Sequence, residues 1–144
     1  MDMKILIVDD EKSVRETLYE IFKVKNFKVL TAEGGQEAVK IFTENDIDFV
    51  LMDVQMPEMD GLSTYQQMIK HNSTIRRKKS YIILMTGYSN RIEEIKKEGV
   101  KVIKKPFDVN EVISLFLEMK REDENLRNAE YFIHPFSSNN HVKF

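Results

Sequence analysis

The stretch Lys4–Ser13, KILIVDDEKS, runs from four apolar residues straight into three carboxylates. Ile5–Val8 has strand length and is closed off at once by charge, the pattern of a short strand buried on both faces. Runs of the same kind recur at Val29–Leu30, Phe49–Met52, Tyr81–Met85 and Val100–Ile103. Between them apolar residues fall at helical spacing, as in Val14, Leu18, Ile21 and Phe22, or Ala38, Val39 and Phe42, with charges at the other positions. Strand and helix alternate along the chain. Right-handed crossovers then place helices on both faces of a parallel sheet. The expected fold is α/β, a doubly wound five-stranded parallel sheet of order 2-1-3-4-5.

Local signals mark where the helices begin. Ser13 is expected to cap the first and Asn90 the fourth, Gly34 and Gly35 open the second, and Asp60–Gly61 turns into the third. The last helix is expected to start near Val109, after KPFD, with a pattern that holds to about Met119.

At 144 residues the chain has room for one ordinary domain, taken as 1–120, and a C-terminal extension, 121–144, in which no output domain is expected. With 22 basic and 24 acidic residues the net charge is −2, which offers a polyanion no bulk attraction. The absence of cysteine excludes disulfides and thiolate metal sites. No signal-peptide pattern or membrane-length apolar run is present, so a cytoplasmic protein with no membrane association is expected. The basic run Arg76–Lys79 reads as a solvated loop without a recognition helix, and no specific nucleic-acid binding is expected.

In a doubly wound sheet, ligands bind beyond the carboxyl ends of the strands. The residues there are Asp9, Asp10 and Glu11 after the first strand, Asp53 after the third, Thr86 after the fourth and Lys105 shortly after the fifth. Two carboxylates facing each other across the crevice repel by roughly 4 kcal/mol at about 4 Å and an effective dielectric near 20. A hard divalent cation offsets this, and carboxylate oxygens suit Mg²⁺. Glu11 is expected to serve only the helix N-terminus. A phosphoryl group accounts for the remaining pair: with Asp53 as nucleophile, Lys105 and Thr86 would contact the oxygens where negative charge collects.

Four segments carry a family resemblance: ILIVDDE, DFVLMDVQMPEMDG, IILMTGYS and IKKPFDVNEV. Together, over about residues 3–120, they resemble the receiver domain of bacterial two-component response regulators, a flavodoxin-like (βα)5 fold. The resemblance implies that Asp53 accepts a phosphoryl group from a histidine kinase or histidine phosphotransfer protein. It implies that Asp9, Asp10 and Asp53 hold Mg²⁺, with Gln55 adding its backbone carbonyl, and that Lys105, not Lys104, is the site lysine, before a commonly cis proline bond. Such a protein catalyses only its own phosphorylation and dephosphorylation and signals by protein contact, to a downstream protein or a phosphorylation-dependent homodimer.

One position departs from the pattern. Val102 stands where the family usually has Tyr or Phe, in a segment one residue shorter than usual, so the route from Thr86 to an output face is expected to differ. Gln55 and Tyr88, two beyond Asp53 and Thr86, flank the approach of hydrolytic water in the family. The alternatives are a receiver-like scaffold that is not phosphorylated and a flavodoxin-like nucleotide binder. The second lacks its Gly- or Ser-rich phosphate loop here, and a dehalogenase-type phosphatase would need a D-x-D pattern that VDDEKS does not provide.

In the extension, Val112, Met119, Leu126 and Ile133 recur every seven residues, while Asp123 and Glu130 interrupt the companion positions. The final helix is expected to run past the domain body and show a partial apolar edge, followed by Ala129–Phe136, AEYFIHPF, with Pro135 limiting the helix. Two readings are open for this tail: it folds back on its own domain or is a linker remnant, or, as the functional expectation, it docks on a partner or a second copy.

Overall fold

A computed structural model describes residues 2–75 and 79–140, the side chains of 73–75 and 129–140 excepted. The strands are β1 (Lys4–Val8), β2 (Lys28–Ala32), β3 (Phe49–Asp53), β4 (Tyr81–Thr86) and β5 (Lys101–Lys104). The helices are α1 (Lys12–Val24), α2 (Gly35–Glu44), α3 (Gly61–Ile75), α4 (Ser89–Lys97) and α5 (Val109–Asn140). All strand pairs are parallel, as the alternation of elements predicts, and their order is β2-β1-β3-β4-β5, as expected for this fold.

Strand side chains alternate between faces, and the core divides accordingly. Leu6, Val8, Val50, Met52, Ile82 and Leu84 pack with Ala38, Phe42, Met68 and Ile95 on the side of α2, α3 and α4. Ile5, Ile7, Phe49, Leu51, Ile83 and Met85 pack with Leu18, Phe22, Val112 and Phe116 on the side of α1 and α5. Phe116 lies against Phe49 with ring centroids 4.6 Å apart, which seats α5 on the middle of the sheet. Burying one such ring contributes about 1.5–3 kcal/mol. Among the described residues, no helix is long and apolar enough to cross a membrane.

Two helix starts differ from expectation. Helix α1 begins at Lys12 with Glu11 as N-cap, because the Asp9 carboxylate already accepts the Glu11 N–H at 2.9 Å and turns the chain early; Ser13 lies inside the helix. Helix α4 begins at Ser89 with Tyr88 as N-cap, the Thr86 hydroxyl accepting the Tyr88 N–H at 3.1 Å; Asn90 is therefore helical. The other starts match: Gly34 caps α2, Asp60 accepts the Ser63 N–H, and Asp108 accepts the Asn110 N–H.

Helix α5 runs past the domain body, as the sevenfold recurrence suggests, and departs from expectation in how far it runs. It passes residue 120 without a break and continues through Pro135 to Asn140. Proline's fixed φ is itself helical, so what it removes is one hydrogen bond and some room for the preceding turn. The expected apolar edge loses its support along the way: Val112 is buried, Met119 half-buried and Leu126 65% exposed. The side chains of Ile133 and of the AEYFIHPF segment lie outside the described residues. Asp123, which interrupts the repeat, turns inward to the start of β4. It accepts from Tyr81 Oη at 3.0 Å and Lys79 Nζ at 2.9 Å, and also from Arg127. Lys79 is thus engaged by α5 and not merely solvated; Arg76–Lys78 lie outside the described residues.

Candidate functional site

The register of the sheet brings the strand ends together. Val8 pairs with Met52, so the next residues, Asp9 and Asp53, emerge side by side, and Asp53 pairs with Met85 just before Thr86. One carboxylate oxygen from each of Asp9, Asp10 and Asp53 lies within 4.8 Å of the other two. Asp9 is fully buried and Asp53 nearly so, while Asp10 is exposed. Glu11 is exposed at the start of α1, in keeping with a helix-terminal role.

Lys105 reaches into this cluster. Its ammonium stands 3.5 Å from Asp9 Oδ2 and 3.5 Å from Asp53 Oδ1. The Lys105 N–H donates to the Thr86 carbonyl at 2.8 Å, and the Lys105–Pro106 bond is cis. Lys104 is exposed, at the end of β5. Thr86 is fully buried and its hydroxyl donates to Gln55 Oε1 at 3.2 Å, while the Gln55 N–H donates to Asp53 Oδ1 at 3.3 Å. Tyr88 is 60% exposed beside this group. Val102 is half-buried and packs on the core side of α2, α3 and α4.

Burial pushes the Asp53 carboxyl up from 3.8 to about 6; the Lys105 ammonium lowers it and the Asp9 carboxylate raises it again. The protein's own groups therefore leave the cluster short of positive charge. Three carboxylates against one ammonium leave two negative charges, which one divalent cation balances. The donors are all hard oxygens, two of them on buried residues, which suits Mg²⁺.

Two further features act on these residues and were not foreseen. Arg15 reads in the sequence as part of the charged outer face of α1, yet its side chain is only 13% exposed and its Nη1 donates to the Asp9 carbonyl at 2.8 Å. Gly61 lies so close to β3 that an added Cβ would stand 2.4 Å from the Asp53 carbonyl oxygen. The spacing M-D-G hints at a turn there but not at this approach.

A parallel five-stranded sheet with buried acids, a hydroxyl and a lysine at its strand ends defines a class of phospho-acceptor modules. The family model of the response regulator receiver domain matches residues 5–116, and the chain belongs to that family. It is 36% identical over 115 residues to sporulation initiation phosphotransferase F of Bacillus subtilis, covering 78% of this chain and 89% of that protein. It is 34% identical over 135 residues to the regulatory protein AtoC of Escherichia coli, covering 88% of this chain but 28% of that protein. Among solved structures it is similar to response regulator protein TrrA of Thermotoga maritima in complex with Mg²⁺ and BeF. That likeness has 30% identity and a TM-score of 0.71, covering 81% of this chain and 97% of the other.

Proposed function

We propose that Asp53 is the phospho-acceptor of this receiver domain, that Asp9, Asp10 and Asp53 with the Gln55 carbonyl hold Mg²⁺, and that Lys105 and Thr86 receive the phosphoryl oxygens. The observation that carries this is the placement of a nearly buried Asp53 carboxylate between two further acids and an ammonium 3.5 Å away. Magnesium would neutralise the acids and the phosphoryl oxygens that approach them.

In this reading the Asp53 carboxylate attacks phosphorus. A P–O bond forms, the bond from phosphorus to the donor breaks, and the donor leaves with the electron pair. Lys105, already beside Asp53 Oδ1, balances charge on the transferring group. The Thr86 hydroxyl releases Gln55 and turns its proton to a phosphoryl oxygen. Asp53 must be ionised to attack, and Lys105 favours that form.

The donor is a phosphohistidine protein, a histidine kinase or histidine phosphotransfer protein. A recess of about 580 Å³ beside Lys105, lined by Val14, Leu18 and Ile21 of α1 with Pro106 and Phe107, supports a protein donor, because it offers apolar contact next to the reacting group. Output is by protein contact. The Met119–Leu126 edge of α5 supports a second copy or a downstream protein as the receiver of the signal. Removing the chain from Glu124 onward then leaves phosphorylation intact and alters self-association, measured by sedimentation with and without phosphorylation.

Acetyl phosphate tests the assignment. Intact-mass measurement of the full chain is expected to show one added phosphoryl group with Mg²⁺, none with a chelator, and none in Asp53→Asn. Undiminished incorporation in Asp53→Asn overturns it, as does incorporation that ignores the metal.

A further inference from the structure

Every polar atom of Asp9 is engaged. Its N–H donates to the Ala32 carbonyl of β2 at 3.2 Å, Oδ1 accepts from the Glu11 N–H at 2.9 Å, and Oδ2 faces Lys105 at 3.5 Å. The carbonyl is held by Arg15 Nη1 at 2.8 Å. The same guanidinium spans to the end of β2, with Nη2 3.4 Å from Glu33 Oε1. Asp10 is different: it is exposed, and among the described residues its carboxylate has no hydrogen-bond or ion-pair partner.

We infer that Arg15 is a positioning residue for the metal site, which aims Asp10 by fixing the Asp9–Asp10 peptide through the Asp9 carbonyl. This rests on the magnesium reading above. A peptide unit is planar, so pinning its oxygen fixes the rotation before it, ψ of Asp9, and with it the positions of the Asp10 N and Cα. The Asp10 side chain springs from that Cα, so the setting of the plane decides where the Asp10 carboxylate can reach. Asp9 keeps three other contacts if Arg15 is lost; Asp10 keeps none. The ion pair to Glu33 does not explain the burial of Arg15, since Glu33 is 73% exposed and such pairs contribute little. The 2.8 Å bond to the Asp9 carbonyl does explain it, since it draws the guanidinium in against the end of β1.

Charge and position make opposite forecasts for Arg15, which gives the inference its test. Removing a positive charge near three carboxylates strengthens cation binding by electrostatics alone, whereas loss of positioning weakens it. NMR titration of the folded full chain with MgCl₂ reads the affinity directly. Arg15→Ala is expected to bind Mg²⁺ about tenfold more weakly or worse, the range for removing a group that orients a metal ligand. Arg15→Lys is expected to fall between Arg15→Ala and wild type, and Glu33→Gln to stay within about twofold of wild type, below that range. Equal or tighter binding by Arg15→Ala overturns the inference. Thermal unfolding in chelator identifies a variant that has not folded, and if Arg15→Ala is one, wild-type affinity in Arg15→Lys overturns it instead. A wild-type chain that does not bind Mg²⁺ removes the magnesium reading itself, and the inference with it.

Discussion

The two ends of the sheet hold carboxylates in opposite circumstances. At the amino end, Asp123 of α5 accepts from Lys79, Tyr81 and Arg127, and these donors hold its carboxyl below the usual carboxylate range. At the carboxyl end, burial pushes Asp53 up to about 6 despite Lys105 beside it. The strand β4 joins the two, with Tyr81 at its start and Thr86 at its end. One end is satisfied within the chain, so its acid contributes to stability. The other is left short of positive charge and contributes to stability only when something is bound. Unsatisfied electrostatics at one end of a fold that satisfies its acid at the other marks where the ligand belongs.

The contrast breaks most visibly in rate. Lys105→Ala is expected to slow phosphorylation by acetyl phosphate about 100-fold, the scale for deleting one preorganised charge at a transferring group. Asp123→Ala should leave that rate within about twofold of wild type by the same measure. A mass-spectrometric time course reads both, and equal slowing in the two variants erases the distinction between the ends.

Stability is next in size. Mg²⁺ at a hundred times its dissociation constant should raise unfolding free energy by about 2.7 kcal/mol, a gain absent in Asp10→Ala at the same concentration. Asp123→Ala should cost about 1–3 kcal/mol, because the Tyr81 hydroxyl loses its half-buried partner. Asp53→Asn in chelator should go the other way and add about 1–2 kcal/mol, since it removes a charge that burial penalises. Urea unfolding decides these signs. A destabilised Asp53→Asn would mean that Lys105 already compensates the acid in full.

The pH dependence sharpens the same comparison. Above about 6, Asp53 is ionised in folded and unfolded chains alike and its penalty is complete; as pH falls toward 3.8 the folded chain takes the proton first and the penalty fades. The stability gap between Asp53→Asn and wild type in chelator should therefore close between pH 7 and pH 4, by up to about 1–2 kcal/mol. Asp123 has the opposite sign: its contribution is present above its ordinary 3.8 and is lost as pH falls through its lowered value. Its gap should hold down to about pH 4 and close only below. Smallest is Tyr88→Ala, expected to shorten the phosphoryl lifetime by a few-fold if the ring covers the water path; an unchanged decay rate places the ring outside it.

The strand ends were legible because two local patterns coincide there: apolar runs locate the strands, and the parallel winding says which end to inspect. Asp9, Asp10, Asp53, Thr86 and Lys105 each stand within a residue or two of such an end. The contacts of Asp123 and Arg15 were not legible in the same way. Asp123 meets Tyr81 across 42 residues of sequence, and nothing in either neighbourhood signals the other. Arg15 occupies a position that helical period assigns to the outer face, and only the close passage of the Asp9 backbone makes that face inner. Ser13 and Asn90 are good caps by residue type, but Asp9 and Thr86 turned the chain first. Local pattern specifies elements; side chains that join elements depend on where the backbone passes.

Gly61 gives the MDG turn a meaning for inheritance. A methyl group there would meet the Asp53 carbonyl oxygen at 2.4 Å and Val54 Cα at 3.0 Å, and both are backbone atoms with no rotamer to change. The Gly61 N–H also bonds the Val54 carbonyl at 2.9 Å, so α3 cannot simply back away. Any substitution at this codon shifts the main chain of Asp53, whatever the chemistry of the new residue. Drift at this one codon is therefore closed to a lineage for as long as Asp53 must stay in place.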